Sequence, residues 1–156
     1  MNTLKIRPTI SVFDRVRELL EQDRPQDALN LIEHVGQNTP AMKNAQGVCL
    51  LRLGRIEDAI CVLREIAFQG HVCIPSDTPA VYQANFATAM LMANHKDGAI
   101  DLIKQLDAKR CPAVAELKAA IDRWEKSMPL VRRLLFKIGI YPSTPMPIDF
   151  VLGDLG

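Results

Sequence analysis

Apolar positions recur every three or four residues through most of this chain, the spacing that gives a helix one buried face. The stretch "VFDRVRELL" places Val12, Phe13, Val16, Leu19 and Leu20 on such a face, and Ser11 with Asp14 three residues on predicts a capping box that starts the helix near Val12. "QDRPQ" breaks the pattern, with Pro25 suited to the first turn of a second helix that stops at Gly36. Thr39-Pro40 opens a third helix to about Leu53, Gly54 turns the chain, and a fourth runs from about Glu57 to Gln69 and ends at Gly70. Thr78-Pro79 opens a fifth to about Asn94; "HKD" turns it into a sixth over roughly Gly98 to Ala108. Cys111-Pro112 begins a longer helix to about Lys126, and Pro129 begins a short one ending at Gly139. The remainder, "IYPSTPMPIDFVLGDLG", has three prolines and no helical period, and reads as an extended tail.

Three of these units align with one another. "RPQDALNLIEHV", "RIEDAICVLREI" and "HKDGAIDLIKQL" each carry an Ala in the second helix of a pair, at Ala28, Ala59 and Ala99, followed four and seven residues later by Ile32 and Val35, Leu63 and Ile66, and Ile103 and Leu106. Twelve residues before each Ala stand Val16, Gly47 and Ala87. Two of those three are small, which lets paired helices approach closely. The Ala positions are 31 and 40 apart and bracket a repeat of about 34 residues, the surplus falling in the loop "QGHVCIPSD".

At these residues the chain resembles the tetratricopeptide repeat, whose signature is a small residue in helix A and an Ala twelve positions on in helix B. The match is best over 40–70, good over 79–108 and weaker over 9–38, and the usual Trp or Tyr of helix A is missing from all three units. The resemblance implies an all-α fold: an α-solenoid of about three antiparallel hairpins (11–36, 39–70, 78–108) with capping helices at 112–127 and 129–138. Together these make a single domain over 9–138, followed by the extended tail 139–156. The short helix is amphipathic, with Leu130, Val131, Leu134, Leu135 and Ile138 opposite Arg132, Arg133 and Lys137, and is expected to serve as a second cap. Its ten residues and the lack of a second anchor argue against a membrane-surface helix.

Composition supports packed helices: apolar residues are 48% of the 156 and charged residues 24%, while aromatics are only 5%. Net charge is +1, so nothing global steers the chain to nucleic acid or membrane. Residues 109–137 are locally basic, eight Lys/Arg against three acids, and read first as a solvated face. The N-terminus has no apolar signal region, so the expected location is cytoplasmic, with Cys49, Cys61, Cys73 and Cys111 as reduced thiols. Cys49 and Cys61 fall in apolar-patterned helices and read as small core residues.

In a tetratricopeptide-like array helix A forms most of the concave wall. Carried over by alignment, that wall comprises Phe13 and Arg17 from the first unit, Asn44, Val48, Leu51 and Arg52 from the second, and Val81, Ala84, Thr88 and Leu91 from the third. For Leu51 and Leu91 a core role is at least as well supported. The heat-shock-chaperone clamp of Lys, Asn and Arg is echoed only by Asn44 and Arg52, so that activity is not expected. Such a wall suits an extended or helical peptide with apolar side chains and an acidic group or two. The tail "PMPIDFVLGDLG" has that chemistry: Ile148, Phe150, Leu152 and Leu155 are apolar, while Asp149 and Asp154 are acidic. It is a candidate self-ligand, with an ordinary disordered terminus as the alternative.

Catalytic motifs are absent: there is no Gly-rich phosphate loop, no G-x-S-x-G and no H-E-x-x-H. His34, His71 and His95 fall at helix ends and loops, and His71, Cys73 and Cys111 lack the fourth ligand and the C-x-x-C pair of a structural zinc site. The sequence therefore predicts a non-enzymatic adaptor or chaperone-like module with no metal and no cofactor, holding a protein or peptide partner in the helix-A groove. The alternative is a structural or oligomerising protein whose groove is filled by its own tail, with basic helices 109–137 contacting an acidic partner. Nucleic acid and membrane are the disfavoured partners.

Overall fold

The computed structural model describes residues 11–156, so residues 9 and 10 of the expected domain lie outside it. The described chain is all-helical, with eight helices and no strand: α1 (Val12–Glu21), α2 (Pro25–Val35), α3 (Pro40–Arg52), α4 (Ile56–Phe68), α5 (Ala80–Met92), α6 (Lys96–Gln105), α7 (Pro112–Ser127) and α8 (Leu130–Lys137). The expected elements are all present, with ends shifted by at most three residues. The first boundary forms as anticipated. Asp14 N donates to Ser11 Oγ at 3.1 Å while Ser11 N donates to Asp14 Oδ2 at 3.3 Å, closing the capping box.

One turn geometry is used three times. After α1, α3 and α5 a single left-handed residue (Asp23, Gly54, Asn94) reverses the chain. In each case the amide of the following residue reaches back five positions: Arg24 N to Leu19 O, Arg55 N to Leu50 O and His95 N to Met90 O, at 2.9, 2.9 and 2.8 Å. These are Schellman closures, and only the middle one uses glycine. The other two depend on the tolerance of Asp and Asn for the left-handed region. Because Asn94 takes that position, α6 starts at Lys96 rather than near Gly98.

Each helix packs on the next, and α1, α3, α5 and α7 also pack in series, α1 on α3, α3 on α5 and α5 on α7. That places α3 and α5 centrally, which explains why their buried residues run all the way round rather than along one stripe. Val16, Ala87, Ala28, Ala59 and Ala99 are fully buried where the paired helices meet. Gly47 is the tightest point: a Cβ there would stand 2.5 Å from Leu63 Cγ and Cδ2. The core divides into an α1–α4 cluster and an α5–α8 cluster, bridged by Phe86, which meets Phe68 edge-on at 5.8 Å.

Two expectations are corrected. Cys61 is exposed on α4, not in the core. In α8 the cap arrangement is inverted: Phe136 is buried, edge-on to Trp124 and Tyr141 at 5.6 and 4.9 Å, while Leu130, Val131, Leu134 and Ile138 face outward. The aromatic ring, the largest apolar group on the helix, is the one that enters the core, and it turns the aliphatic stripe away. Thiol labelling of the native protein should modify Cys61 and Cys73 rapidly and spare Cys49 and Cys111, which react only after denaturation. Burial pushes the Cys49 thiol up to about 12, so thiolate there is negligible at neutral pH. Intact-mass counting of labels over time checks this.

Candidate functional site

The tail crosses α7, α5, α3 and α1, the helices of the continuous row. Asp149 meets Arg123 of α7 at 2.7 and 3.2 Å. Leu152 O accepts from Arg52 Nε of α3 at 2.8 Å, and Gly156 O accepts from Arg17 Nη2 of α1 at 3.2 Å. Arg52 is held in place by its other branch, since Nη1 donates to Leu20 O at 2.7 Å and so closes the end of α1 as well. Arg17 lies over the half-buried Phe13 ring, 5.4 Å from its centroid.

The most specific contact is at Asp154. Asn85 Oδ1 accepts from Asp154 N at 3.1 Å, while Asn85 Nδ2 donates to Asp154 O at 2.7 Å and to Asn44 Oδ1 at 2.8 Å. Asn44 Nδ2 donates to the same Asp154 carbonyl at 3.0 Å. Two buried side-chain amides thus satisfy each other and one residue of extended main chain. Buried polar groups this close to the core are tolerable only when paired, and here each has its partner. The clasp reads backbone, not side chain.

Gly153, beside the clasp, adopts φ +77°, and a Cβ on it would stand 2.7 Å from both Val48 methyl carbons. Glycine is required there twice, for the backbone conformation and for the approach to α3. Leu152 and Leu155 pack on the α1–α4 cluster, whereas Ile148 and Phe150 pack on the α5–α8 cluster with buried Met146. Lys96, buried in α6, ties down the start of the tail, donating to Ser143 O at 3.4 Å and to Asn94 Oδ1. Hydrogen bonds from Arg123 hold the Asp149 carboxyl below the usual carboxylate range. That pair is therefore formed at neutral pH and lost only as acidification passes the lowered value.

The expected wall residues divide into two groups. Arg17, Asn44 and Arg52 bond the tail, Val48 meets Gly153, Val81 lies near Gly156, and Thr88 lines a cavity beside Phe150 and Asp154. Leu51, Ala84 and Leu91 are core residues, and Phe13 packs half-buried against the α1–α4 cluster without bonding the tail. The repeat alignment selects Ala84 as the counterpart of Asn44, but the side chain that reaches the tail is its neighbour Asn85. The available signal is one of two side-chain amides, Gln83 and Asn85, inside "AVYQANFATAMLM". Arg123 and Gly153 were likewise not anticipated.

The tail does not fill its surroundings. A cavity of about 160 Å³ lies between it and Pro112, Glu116 and Leu117, and another of about 300 Å³ lies by Arg17, Glu21 and Arg52. A larger open cleft of about 960 Å³ lies between residues 72–78 and α6; neither the tail nor any expected wall residue lines it. Among the described residues no three His, Cys, Asp or Glu side chains gather as a metal set, and no helix is long and apolar enough to cross a membrane. No protein-family model matches the chain, and no curated protein or solved structure shows significant similarity to it.

Proposed function

We propose that this chain is a peptide-binding module of the tetratricopeptide-like kind, in which the face built by α1, α3, α5 and α7 holds an extended segment and residues 146–156 act as an intramolecular ligand for it. The observation that carries this reading is the two-way bonding of the Asp154 main chain by Asn85, backed by Asn44. Side-chain amides that bond main-chain N–H and C=O serve any extended segment, while apolar contacts at alternate positions supply selectivity. A partner with apolar residues flanking a glycine satisfies the same groups.

The tail is tethered, so it competes at an effective concentration on the order of millimolar. A micromolar partner must then bind the face about 10³-fold better than the tail, or use the two open cavities beside it as additional anchorage. The module is closed by default and opens to a partner that makes more contacts than the tail does.

Gly153→Val in the full chain tests this directly. Valine cannot hold the left-handed conformation or fit against Val48, so the tail's last residues leave the face while the helices persist. A labelled peptide of residues 145–156 is expected to bind this variant at least about thirtyfold more tightly than wild type, from the loss of about 2 kcal/mol of internal competition. Adding Arg52→Glu should abolish that binding. A variant with unchanged circular dichroism that does not bind the peptide overturns the reading.

A further inference from the structure

The outward stripe on α8 is the largest group of exposed apolar side chains in the described structure. Leu130, Val131, Leu134 and Ile138 are 81, 73, 66 and 68% exposed, and Ile140, just past the helix, is 55% exposed. Leu130, Leu134 and Ile138 stack at four-residue intervals with Val131 and Leu135 alongside, so they form one face rather than scattered positions. Phe136 on the opposite side locks the helix to Trp124 and Tyr141, which fixes the direction of that face.

The charges around the stripe indicate what covers it. Lys137 and Arg133 flank one edge and Arg132 the other, and residues 126–148 contain no Asp or Glu. None of these three cations takes part in an ion pair among the described residues. Two copies of the face packed on each other would set these like charges together, which disfavours self-association. A bilayer surface with anionic headgroups meets both requirements: aliphatic side chains enter the acyl boundary, while the Arg and Lys stems lie along it with their charges at the phosphates.

Against the expectation from its length, and on the outward stripe extended by Ile140, we propose that α8 is an interfacial helix that docks the protein reversibly on an anionic membrane surface. The helix lies in the plane of the interface and spans nothing. Two turns bury little area, so the association is weak, on the order of that of one acyl chain (about 10⁴ M⁻¹), and depends on the cations. The stripe makes none of the clasp's contacts; the α8 side chain that meets the tail is Phe136 on the opposite side, against Tyr141.

Co-sedimentation of the full chain with phosphatidylcholine vesicles, with and without about 30 mol % phosphatidylserine, tests this. Binding is expected to the anionic vesicles only and to fall at least about tenfold in roughly 0.5 M salt. Leu134→Glu/Ile138→Glu and Arg132→Gln/Arg133→Gln/Lys137→Gln should each lose it by about tenfold or more. Because Arg132, Leu134, Lys137 and Ile138 are exposed and Arg133 is half-buried without an ion pair, both variants should melt close to wild type. No sedimentation of wild type overturns the proposal, as does equal sedimentation of Leu134→Glu/Ile138→Glu. A wild-type dimer that this variant converts to monomer also overturns it, by assigning the face to a second copy.

Discussion

Gly47→Val should destabilise the protein by about 3 kcal/mol or more, visible as a fall in Tm of roughly 10 °C. The reasoning starts from one distance. The missing Cβ would already overlap Leu63 Cγ and Cδ2 at 2.5 Å and stand 3.1 Å from Cδ1, and Leu63 is fully buried. Valine adds two further methyls at the same point, so α3 and α4 must move apart, and with them the contacts of α3 to α5. The usual helix gain on replacing glycine, under about 1 kcal/mol, does not offset this. Gly98→Ala is the control. There the added Cβ meets only Met90 Cε, the mobile end of a flexible chain, at an exposed position of α6. That substitution should leave stability within about 0.5 kcal/mol of wild type. Equal melting of Gly47→Val and wild type would mean the two helices are not packed as described.

Asn85→Asp should release the tail. The change removes one donor group from the clasp and places a carboxylate opposite the Asp154 carbonyl and Asn44 Oδ1, in a site with almost no solvent access. Breaking such a pairing with a charge costs about 3–5 kcal/mol, more than 100-fold in the docked population. The cost is avoided if residues 151–156 leave and water reaches the carboxylate, so the loss falls on docking rather than on the helical body. Limited proteolysis should cut within the tail of Asn85→Asp far faster than in wild type, with helicity retained. Docking favours the neutral carboxyl, so acidification should restore protection as that group protonates. A tail that stays protected at neutral pH would show that the amide clasp contributes little.

Helix existence and order were legible because they are set by local chemistry: a capping box at Ser11, prolines at first turns, and left-handed residues after α1, α3 and α5. The one turn read in the wrong place follows from the same rule, since Asn94 does what Gly54 does without glycine's signature. That the tail lies against these helices was legible from its apolar side chains, but the expected arginines meet it differently: Arg17 and Arg52 bond main-chain carbonyls, and the carboxylate of Asp149 pairs with Arg123, which the sequence did not single out. The residue that organises the docking was not legible. Asn85 is one position from the aligned Ala84, and a repeat register specifies which positions correspond, not which face a side chain reaches when two helices cross. Nor does periodicity reveal the direction of a face: α8 has an apolar stripe in sequence and in space, and only the burial of Phe136 decides that it points outward.

The tail's contacts are also the most distant in the chain, with Arg17 and Gly156 separated by 139 positions and Asn44 and Asp154 by 110. The helices, by contrast, close against their sequence neighbours. During synthesis each helix can therefore settle on the one before it as it emerges, whereas the face they build stays vacant until residues 146–156 have left the ribosome. At about 5–20 residues per second, the tail and the emerging segment before it take seconds to appear. For that interval every molecule presents an open, correctly folded face without an internal competitor. Under the peptide-binding role proposed above, a partner present at the site of synthesis would meet the module in its most receptive form, and a partner met later would have to displace what has since arrived.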